Sequence, residues 1–163
     1  MLAGAAAGAA GAKGGVVVFY GEYESKVDAK GRVIIPARLR DAVPEDDRDD
    51  GFVVRLGEDG CVTVYTWSHW QELEAAVNRV PQNTHLARQY RRFVFTQADR
   101  GQCDKQGRLR IPANLLAEAG IDRAVVVVGV SDQIEIWDRK RWQALKSEML
   151  AERERNAEGY PLG

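Results

Sequence analysis

Residues 28–36 read DAKGRVIIP, and residues 104–112 read DKQGRLRIP. Both stretches have the form Asp-x-x-Gly-Arg-apolar-x-Ile-Pro. Glycine tolerates the positive φ that tight turns need, apolar and β-branched residues favour strands, and proline suits the first position of a helix. The repeated motif therefore predicts a turn, a short strand and a short helix in each half of the chain.

The similarity of the two halves extends beyond the motif. Trp70 and Leu73 recur in order as Trp142 and Leu145, and the first half is longer at an acidic stretch, EDDRDD at 45–50. An insertion confined to a polar connection is expected when one structural unit has been duplicated. We therefore interpret the chain as two tandem copies of one small α+β unit.

The composition is typical of a soluble globular protein. The chain has 163 residues, of which 45% are hydrophobic and 29% are charged, and its net charge is −1. One copy alone buries too little surface for comfortable stability, so fusion of the copies and oligomerisation are both expected. The near-zero net charge argues against a globally basic nucleic-acid-binding protein, but it is compatible with a basic face on one side.

Signs of a disulfide framework, a metal site or a membrane segment are lacking. Cys61 and Cys103 are isolated, and neither His69 nor His85 has a cysteine or second histidine at ligand spacing. We therefore predict free thiols in a reducing cytoplasm, no metal and no cofactor. No stretch has the roughly 20 apolar residues of a membrane span. The Ala/Gly-rich residues 1–17 make a poor secretory signal and predict a disordered leader or a misassigned start.

Hydrophobic periodicity and turn chemistry place the other elements around each motif. In the first copy they predict strands over 16–20, 32–35, 52–56 and 61–65 and helices over 36–43 and 68–80. A further helical pattern covers 84–92. In the second copy they predict strands over 93–96, at the motif, over 125–128 and over 134–137, a helix from 112 to 120, and a last helix that frays at 152–155.

Capping signals and the repeat set the predicted boundaries. Ser68 and Gln71 fit a capping box, Pro81 ends that helix, and Asp138 caps the last helix. The predicted domains are a leader at 1–17, repeats at 18–80 and 93–150, a connecting helix at 81–92 and a flexible tail at 151–163. Because four short strands cannot close a core alone, we expect the two copies to intertwine into one small barrel flanked by helices.

The motif has three interpretations from its residues alone, and the first is structural. Asp28 and Asp104 would accept backbone hydrogen bonds across their own turns and pair with Arg32 and Arg108. Repetition would then follow from duplication. A turn that needed only stability would not require an arginine in both copies, however.

The second interpretation is nucleic-acid binding. Arg32 and Arg108 can contact phosphate or guanine, and Lys30 and Lys105 lie near them at the turn tips. One unit offers few contacts, so a multimer would be needed to place many turns on one face. Further arginines that could extend such a surface are Arg88, Arg91, Arg92 and Arg100.

The third interpretation is catalytic. Asp28 and Asp104 are equivalent carboxylates from two repeats, like the proton-sharing pair of aspartic proteases. A lysine near each carboxylate favours its ionised form and works against proton sharing. We therefore predict that the chain is not an enzyme and that it has no catalytic residues.

The paired motifs are similar to those of the MraZ family, bacterial transcriptional regulators built from two tandem SpoVT-AbrB-like, swapped-hairpin units. The resemblance rests on the Asp-x-x-x-Arg signatures at 28–32 and 104–108, on the Phe-x-Gly-x-Tyr opening at 19–23 and on two Trp-x-x-Leu helices. It covers about residues 18–149 and implies a β-rich swapped-hairpin fold.

This resemblance implies a cytoplasmic, nucleoid-associated regulator that binds double-stranded DNA. The targets would be repeated short boxes upstream of the division and cell-wall gene cluster that includes its own gene, with repression as the usual effect. A homo-oligomeric ring would expose the motif turns. Carried over to this chain, Arg32 and Arg108 would contact DNA, Lys30 would add a phosphate contact, and Asp28 and Asp104 would orient the turns.

Two departures qualify this expectation. Gln106 stands where the first copy has Lys30, so the two turns are not expected to contribute equally. The acidic stretch at 45–50 has no assigned role and is expected to point away from DNA. The alternative function is a ring-forming protein-interaction or antitoxin-like module whose motif turns are structural.

Overall fold

The computed structural model describes residues 17–156, which form an antiparallel α+β fold. The first repeat contains β1 (Glu22–Lys26), β2 (Arg32–Ile34), α1 (Ala37–Asp41), α2 (Glu45–Arg48), β3 (Phe52–Leu56), β4 (Val62–Thr66) and α3 (Trp67–Arg79). Helix α4 (His85–Thr96) leads into the second repeat. That repeat contains β5 (Ala98–Gly101), β6 (Arg108–Arg110), α5 (Ala113–Glu118), β7 (Ala124–Val130), β8 (Gln133–Asp138) and α6 (Arg139–Arg155).

The two repeats are intertwined, as predicted. Six strands form one sheet in the order β1-β7-β8-β4-β3-β5, and β2 and β6 form a separate two-stranded ribbon. Each repeat lends its first strand to the other repeat, because β1 pairs with β7 and β5 pairs with β3. Strands β4 and β8 join the two predicted hairpins at the centre. An approximate two-fold relation between the repeats follows from this exchange.

The closed barrel is not confirmed. The six-stranded sheet ends on β1 at one edge and on β5 at the other, and in residues 17–156 no strand pairing joins these edges. The ribbon crosses one face of an open sheet instead.

The core has two sides because successive side chains of a strand point to opposite faces. On one side, the sheet packs against the ribbon and the short helices through Val54, Val64, Val127, Ile136, Val33, Leu109, Leu39 and Leu115. On the other side, Val53 and Tyr65 pack against α3 and α4, and Val126 and Trp137 pack against α6. The ribbon and the long helices therefore lie on opposite faces of the sheet.

The predicted strand over 16–20 is wrong for the residues that the structure describes. Phe19 forms only an isolated bridge to Ser131, and the first strand is β1, which follows Gly21. Gly21 has φ +89°, so the chain bends between the two segments. Phe19 is buried as a core residue rather than as part of a strand. Residues 1–16 of the predicted leader and 157–163 of the predicted tail lie outside the described residues.

The predicted strand over 93–96 is also wrong, because these residues form the last turn of α4. Thr84 caps this helix through the backbone N–H of Ala87, at 3.1 Å. Val94 is completely buried among the side chains that join α3 to the sheet. A short apolar run fits a strand and a buried helical turn equally well, and here packing decides between them. The connecting helix therefore extends past residue 92.

The start of α3 differs from the predicted capping box. Thr66, not Ser68, caps the helix, because its Oγ1 accepts the His69 backbone N–H at 3.2 Å. The Ser68 backbone N–H lies 3.3 Å from Oδ1 of Asp47. The acidic stretch thus contains a one-turn helix, α2, whose Asp47 is buried and supports the start of α3.

Other predicted helix ends agree more closely with the structure. Asp138 caps α6 through the Arg141 backbone N–H at 3.2 Å, as predicted. The motif prolines precede α1 and α5 as cap residues instead of occupying their first positions. Helix α6 continues to Arg155 without the fraying that we predicted at 152. Within residues 17–156, none of the helices combines the length and apolar character that crossing a membrane requires.

Candidate nucleic-acid interface

The ribbon brings the two motifs side by side in antiparallel register. Arg32 lies opposite Arg110, and Ile34 lies opposite Arg108. Hydrogen bonds from Ile35 to the carbonyl of Gly107 and from Ile111 to the carbonyl of Gly31, 2.9 and 2.8 Å long, extend the pairing at both ends. Two motifs that are far apart in the sequence thus form one continuous surface.

The central pair of the ribbon, Val33 and Leu109, anchors this surface. Both side chains are completely buried against the sheet. Burial of each contributes roughly 1.5–3 kcal/mol relative to exposure. Because side chains alternate along a strand, the neighbouring positions face away from the core. The outward positions are Arg32, Ile34, Arg108 and Arg110.

The first motif turn is closed by its aspartate. Oδ1 of Asp28 accepts the backbone N–H groups of Lys30 and Arg32, both at 2.9 Å, and Oδ2 accepts Nε of Arg32 at 2.7 Å. Gly31 occupies the left-handed region with φ +76°, which favours glycine. Mainly through the hydrogen bond from the Arg32 backbone N–H, the pKa of Asp28 lies below its ordinary value.

The second turn repeats this geometry. Oδ1 of Asp104 accepts the backbone N–H groups of Gln106 and Arg108 at 3.0 and 2.9 Å, and Oδ2 accepts Nε of Arg108 at 2.7 Å. Gly107 has φ +79°. The Arg108 backbone N–H again contributes most to a lowered pKa of Asp104. Both aspartates therefore have the structural role described by the first interpretation.

The two aspartates share an arginine and not a proton. Nη1 of Arg32 lies 3.8 Å from Oδ2 of Asp104, in addition to its Nε bond to Asp28. Proton sharing would raise the pKa of one carboxyl group, whereas the pKa of each is lowered. This geometry argues against a catalytic aspartate pair.

The motif arginines are held at one edge and open at the other. A guanidinium group has five N–H donors, and the strong bond to the aspartate uses only Nε. Nη2 of Arg108 also makes a long contact, 3.4 Å, to the Gln106 side chain. The side chains of Arg32 and Arg108 retain 25% and 30% of their exposure, respectively. The aspartates fix each guanidinium group through Nε, and the terminal nitrogens make only longer contacts, from Nη1 of Arg32 to Asp104 and from Nη2 of Arg108 to Gln106.

Further basic side chains surround this pair. Lys30 and Lys105 are exposed at the turn tips, as their sequence positions predict. Arg110 is exposed on the outward face, although the sequence reasoning above did not single it out. Its position between the buried Leu109 and Ile111 was the available signal, because a residue between two buried strand neighbours faces outward. Ile34, 50% exposed, takes the equivalent place in the first repeat.

The other arginines considered with the motif do not join this surface. Arg88, Arg91 and Arg92 lie on α4, on the opposite face of the sheet from the ribbon. The guanidinium of Arg100 stacks 3.8 Å from the ring centre of Trp67 and donates to the Asp50 carbonyl. The structure therefore separates the arginines of α4 from the motif turns.

The described residues contain neither a cluster of metal ligands nor a thiol with a lowered pKa. Residues 17–156 contain no group of three or more His, Cys, Asp or Glu side chains suited to a metal ion. Cys61 and Cys103 are free. Burial raises the pKa of the Cys61 thiol to about 12 and that of the Cys103 thiol to about 11, so both are protonated at neutral pH.

Comparison with known proteins agrees with the duplicated motif. The profile of a family described as "MraZ protein, putative antitoxin-like" matches twice, over residues 18–93 and 94–159. The chain is 38% identical over 142 residues to the Transcriptional regulator MraZ of Acetivibrio thermocellus, covering 83% of this chain and 96% of that protein. It is 40% identical over 139 residues to the protein of the same name from Pediococcus pentosaceus, covering 85% and 91%. The match to that of Lachnoclostridium phytofermentans is 42% over 127 residues, covering 78% and 86%.

Proposed function

The chain belongs to the MraZ family, and we propose that it is a bacterial sequence-specific DNA-binding transcriptional regulator. Its relatives are named as transcriptional regulators, which points to a function other than catalysis. No residue of the motif turns is arranged for proton sharing. The proposal therefore rests on the motif ribbon as a binding surface.

The observation that carries the proposal is the outward face of the ribbon. It presents Arg32, Arg108 and Arg110 beside one another, with Lys30 and Lys105 at its two ends. A two-stranded ribbon fits the major groove of B-DNA, where base edges are accessible. The sheet and the long helices lie behind the ribbon and leave this face free.

The arginines would recognise DNA through the guanidinium edge that the aspartates leave open. With Nε held by Asp28 or Asp104, the two terminal nitrogens can donate together to O6 and N7 of guanine or to a phosphate. A fixed guanidinium loses less conformational freedom on binding than a mobile one. Lys30 and Lys105 would supply phosphate contacts that fix register without reading sequence.

The proposed targets are repeated short boxes upstream of the division and cell-wall gene cluster that includes the protein's own gene, with repression as the effect. One ribbon supplies few contacts and the net charge is −1. Several ribbons in a homo-oligomeric ring, with swapped-hairpin units as its building blocks, would supply the affinity that one ribbon lacks. Such a regulator would work in the cytoplasm, associated with the nucleoid.

A second candidate is a ring-forming interaction module or antitoxin-like protein whose motif turns are structural. The observation that favours it is the pair of Nε–carboxylate bonds at 2.7 Å, which engage each motif arginine within its own turn. The two candidates differ in whether the open edge of each arginine meets DNA.

DNA titration of Arg32→Ala and Arg108→Ala distinguishes the candidates. The probes are the segment upstream of the protein's own gene and a shuffled segment, at salt concentrations from about 50 to 200 mM. For 6–10 phosphate contacts, wild-type affinity should fall roughly 10³- to 10⁵-fold over this range. Each variant should lose the preference for its own segment.

The matched control is Lys140→Ala, an exposed basic residue on α6, behind the sheet. Its DNA affinity should equal that of the wild type. If the wild type does not distinguish the two segments, or if both arginine variants do so as well as the wild type, the regulator proposal is wrong.

A further inference from the structure

Two oppositely charged surfaces, one on the first repeat and one on the connecting helix α4, have no role in the ribbon. The segment 41–50 contains the acidic residues Asp41, Glu45, Asp46, Asp47, Asp49 and Asp50 and a single basic residue, Arg48. The segment 79–96 contains Arg79, Arg88, Arg91 and Arg92 and no acidic residue. The second repeat has AGIDR at 119–123 in place of the acidic stretch, so duplication does not explain the acidic segment.

The basic surface is a stripe on the solvent side of α4. Arg88, Arg91 and Arg92 are spaced three and four positions apart, which places them on one helical face, and all three are exposed. Val94 holds the opposite face of the helix against the sheet. Arg88 and Arg92 donate to uncharged groups, the Gln82 carbonyl and the Gln89 side chain. We call these three residues the arginine stripe.

The acidic surface is a corner around α2. Asp41, Glu45 and Asp49 are exposed there. Asp47 is the exception, because it is buried beneath Ser68 and has an internal structural role. Asp46 and Arg48 of the same segment are exposed as well. We call Asp41, Glu45 and Asp49 the acidic corner.

The two surfaces lie at opposite ends of β3. The acidic corner adjoins the start of the strand, where the carbonyl of Asp49 accepts a hydrogen bond from Gln102 at 2.6 Å. The stripe-bearing half of α4 adjoins the other end, where the Tyr90 hydroxyl donates to Glu58 at 3.3 Å. A strand of five residues separates its ends by roughly 15 Å. Charges that far apart are screened from each other within one chain.

From this placement we infer that the arginine stripe of one copy docks on the acidic corner of a second copy, in a head-to-tail contact. The contact joins two different surfaces, so it is heterologous and continues from copy to copy until a ring closes. The inference rests on the oligomer of the proposed function and specifies the surfaces that form it. The stripe lies on the other face of the sheet from the ribbon, whereas the acidic corner lies beside the short helices that pack on the same face as the ribbon.

Charge reversal at each surface tests this contact in the full-length chain. Arg91→Glu with Arg92→Glu reverses the stripe, and Glu45→Arg with Asp49→Arg reverses the corner. Each pair of substitutions places like charges opposite one another at the contact. The association constant of each variant alone should therefore fall at least tenfold, and the variant should elute near the chain mass of 18.1 kDa. Wild type should form a larger species at about 50 mM salt and dissociate as salt approaches about 0.5 M.

Mixing the two reversed variants is the decisive measurement. A reversed stripe meets a reversed corner, and an unchanged stripe meets an unchanged corner, so an equimolar mixture should regain the wild-type mass by light scattering. This rescue also shows that both variants are folded. Lys140→Glu with Arg153→Glu, which alters exposed residues of α6 by the same total charge, should assemble like the wild type.

The inference is overturned if the wild type stays at the chain mass at every salt concentration, if the reversed variants assemble unaided, or if the mixture does not assemble. It is also overturned if the stripe variant assembles normally but loses DNA affinity, since the stripe would then be a second DNA surface. Titration with the upstream segment keeps the two proposals apart. If the wild type does not prefer the upstream segment, the regulator proposal is wrong. If the wild type prefers that segment but the mixture of variants does not assemble, only the proposed contact is wrong.

Discussion

Beneath the first motif turn lies Leu116, whereas beneath the second lies the guanidinium group of Arg40. A Cβ atom added at Gly31 would lie 3.2 Å from the Ile111 carbonyl oxygen and 3.9 Å from Cδ1 of Leu116, and one added at Gly107 would lie 2.6 Å from Cζ of Arg40. Leu116 and Arg40 occupy the same position after the motif proline in their repeats. The hydrogen bonds of the two turns are nevertheless nearly identical.

This difference shows that the motif residues set the geometry of each turn, while the side chain packed beneath the turn, Leu116 or Arg40, sets the local charge. The turn survives the exchange of an apolar side chain for a cation because its bonds run between Asp, Gly and Arg of the motif itself. Different cations surround the two turns, since Arg40 lies below the second turn, whereas Arg110 pairs with Arg32 beside the first turn and the exposed Ile34 lies at the second-turn end of the ribbon. Equal shape and unequal charge therefore coexist in one ribbon.

The largest expected effect comes from the anchor that both turns share. Leu109→Ala removes a completely buried side chain and should lower the free energy of unfolding by about 3 kcal/mol. Val33→Ala, at the paired position, should cost less because it removes fewer carbon atoms. Denaturant unfolding at one fixed protein concentration measures both. A loss below that of Val33→Ala would show that the ribbon does not depend on Leu109.

The second-largest effect is a difference in stability between glycine substitutions in the two turns, which pack on different side chains. Gly31→Ala and Gly107→Ala both place a side chain at positive φ, at roughly 1–2 kcal/mol each. Gly107→Ala should cost about 1 kcal/mol more, because its Cβ displaces Arg40 from a 2.8 Å hydrogen bond to the Ile35 carbonyl.

Unfolding of Arg40→Ala with and without Gly107→Ala provides the control. Without Arg40, Gly107→Ala should cost no more than Gly31→Ala, whose Cβ still meets the Ile111 carbonyl oxygen at 3.2 Å. If Gly107→Ala is still the more damaging substitution, Arg40 is not the cause of the difference.

Features encoded by local chemistry were predictable from the sequence. The two glycines at positive φ and the aspartates that close the turns follow from the motif alone, and the turn at 57–60 predicts the β3–β4 hairpin. The exchange of strands was expected from the small size of each repeat. The open sheet was not, because edge pairing depends on the whole assembly of strands.

The errors arose where tertiary packing selects between local alternatives. Residues 93–96 suit a strand, but Val94 completes the core between α3 and the sheet. Ser68 suits an N-cap, but its backbone N–H already faces Asp47 from a distant segment. Arg110 was missed because its outward position becomes significant only when β6 pairs with β2.

A smaller effect concerns the dependence of stability on pH. The folded-state pKa of Asp28 is lowered from the ordinary 3.8, so its ionised form stabilises the turn above that value, and this stability is lost as pH falls through the lower folded-state pKa. The unfolding free energy of wild type should therefore approach that of Asp28→Asn as pH falls below about 3.8. Asp104→Asn should behave in the same way.

Denaturant titrations between neutral pH and the acid limit measure this convergence. Asp122→Asn, at an exposed residue outside the turns, corrects for general acid effects. A difference between wild type and Asp28→Asn that does not shrink in acid would mean that the carboxylate is not what closes the turn.

The smallest effect tests the charge difference within the ribbon, given the proposed function. Ile34→Arg makes the first repeat resemble the second, and Arg110→Ile does the reverse. Both side chains are exposed, so stability should change by less than about 0.5 kcal/mol. Each substitution adds or removes one bond to a DNA phosphate, which should change the slope of log K against log salt by roughly 0.9. The slope should be steeper for Ile34→Arg and shallower for Arg110→Ile.

The double exchange, Ile34→Arg with Arg110→Ile, holds total charge constant and sharpens this test. If only charge matters, its salt slope should match that of the wild type. If the arginine also reads a base, its preference for the upstream segment should fall, because the arginine now contacts the other end of the box. Unchanged slopes in both single variants would place the centre of the ribbon away from DNA and leave DNA binding to the turn arginines.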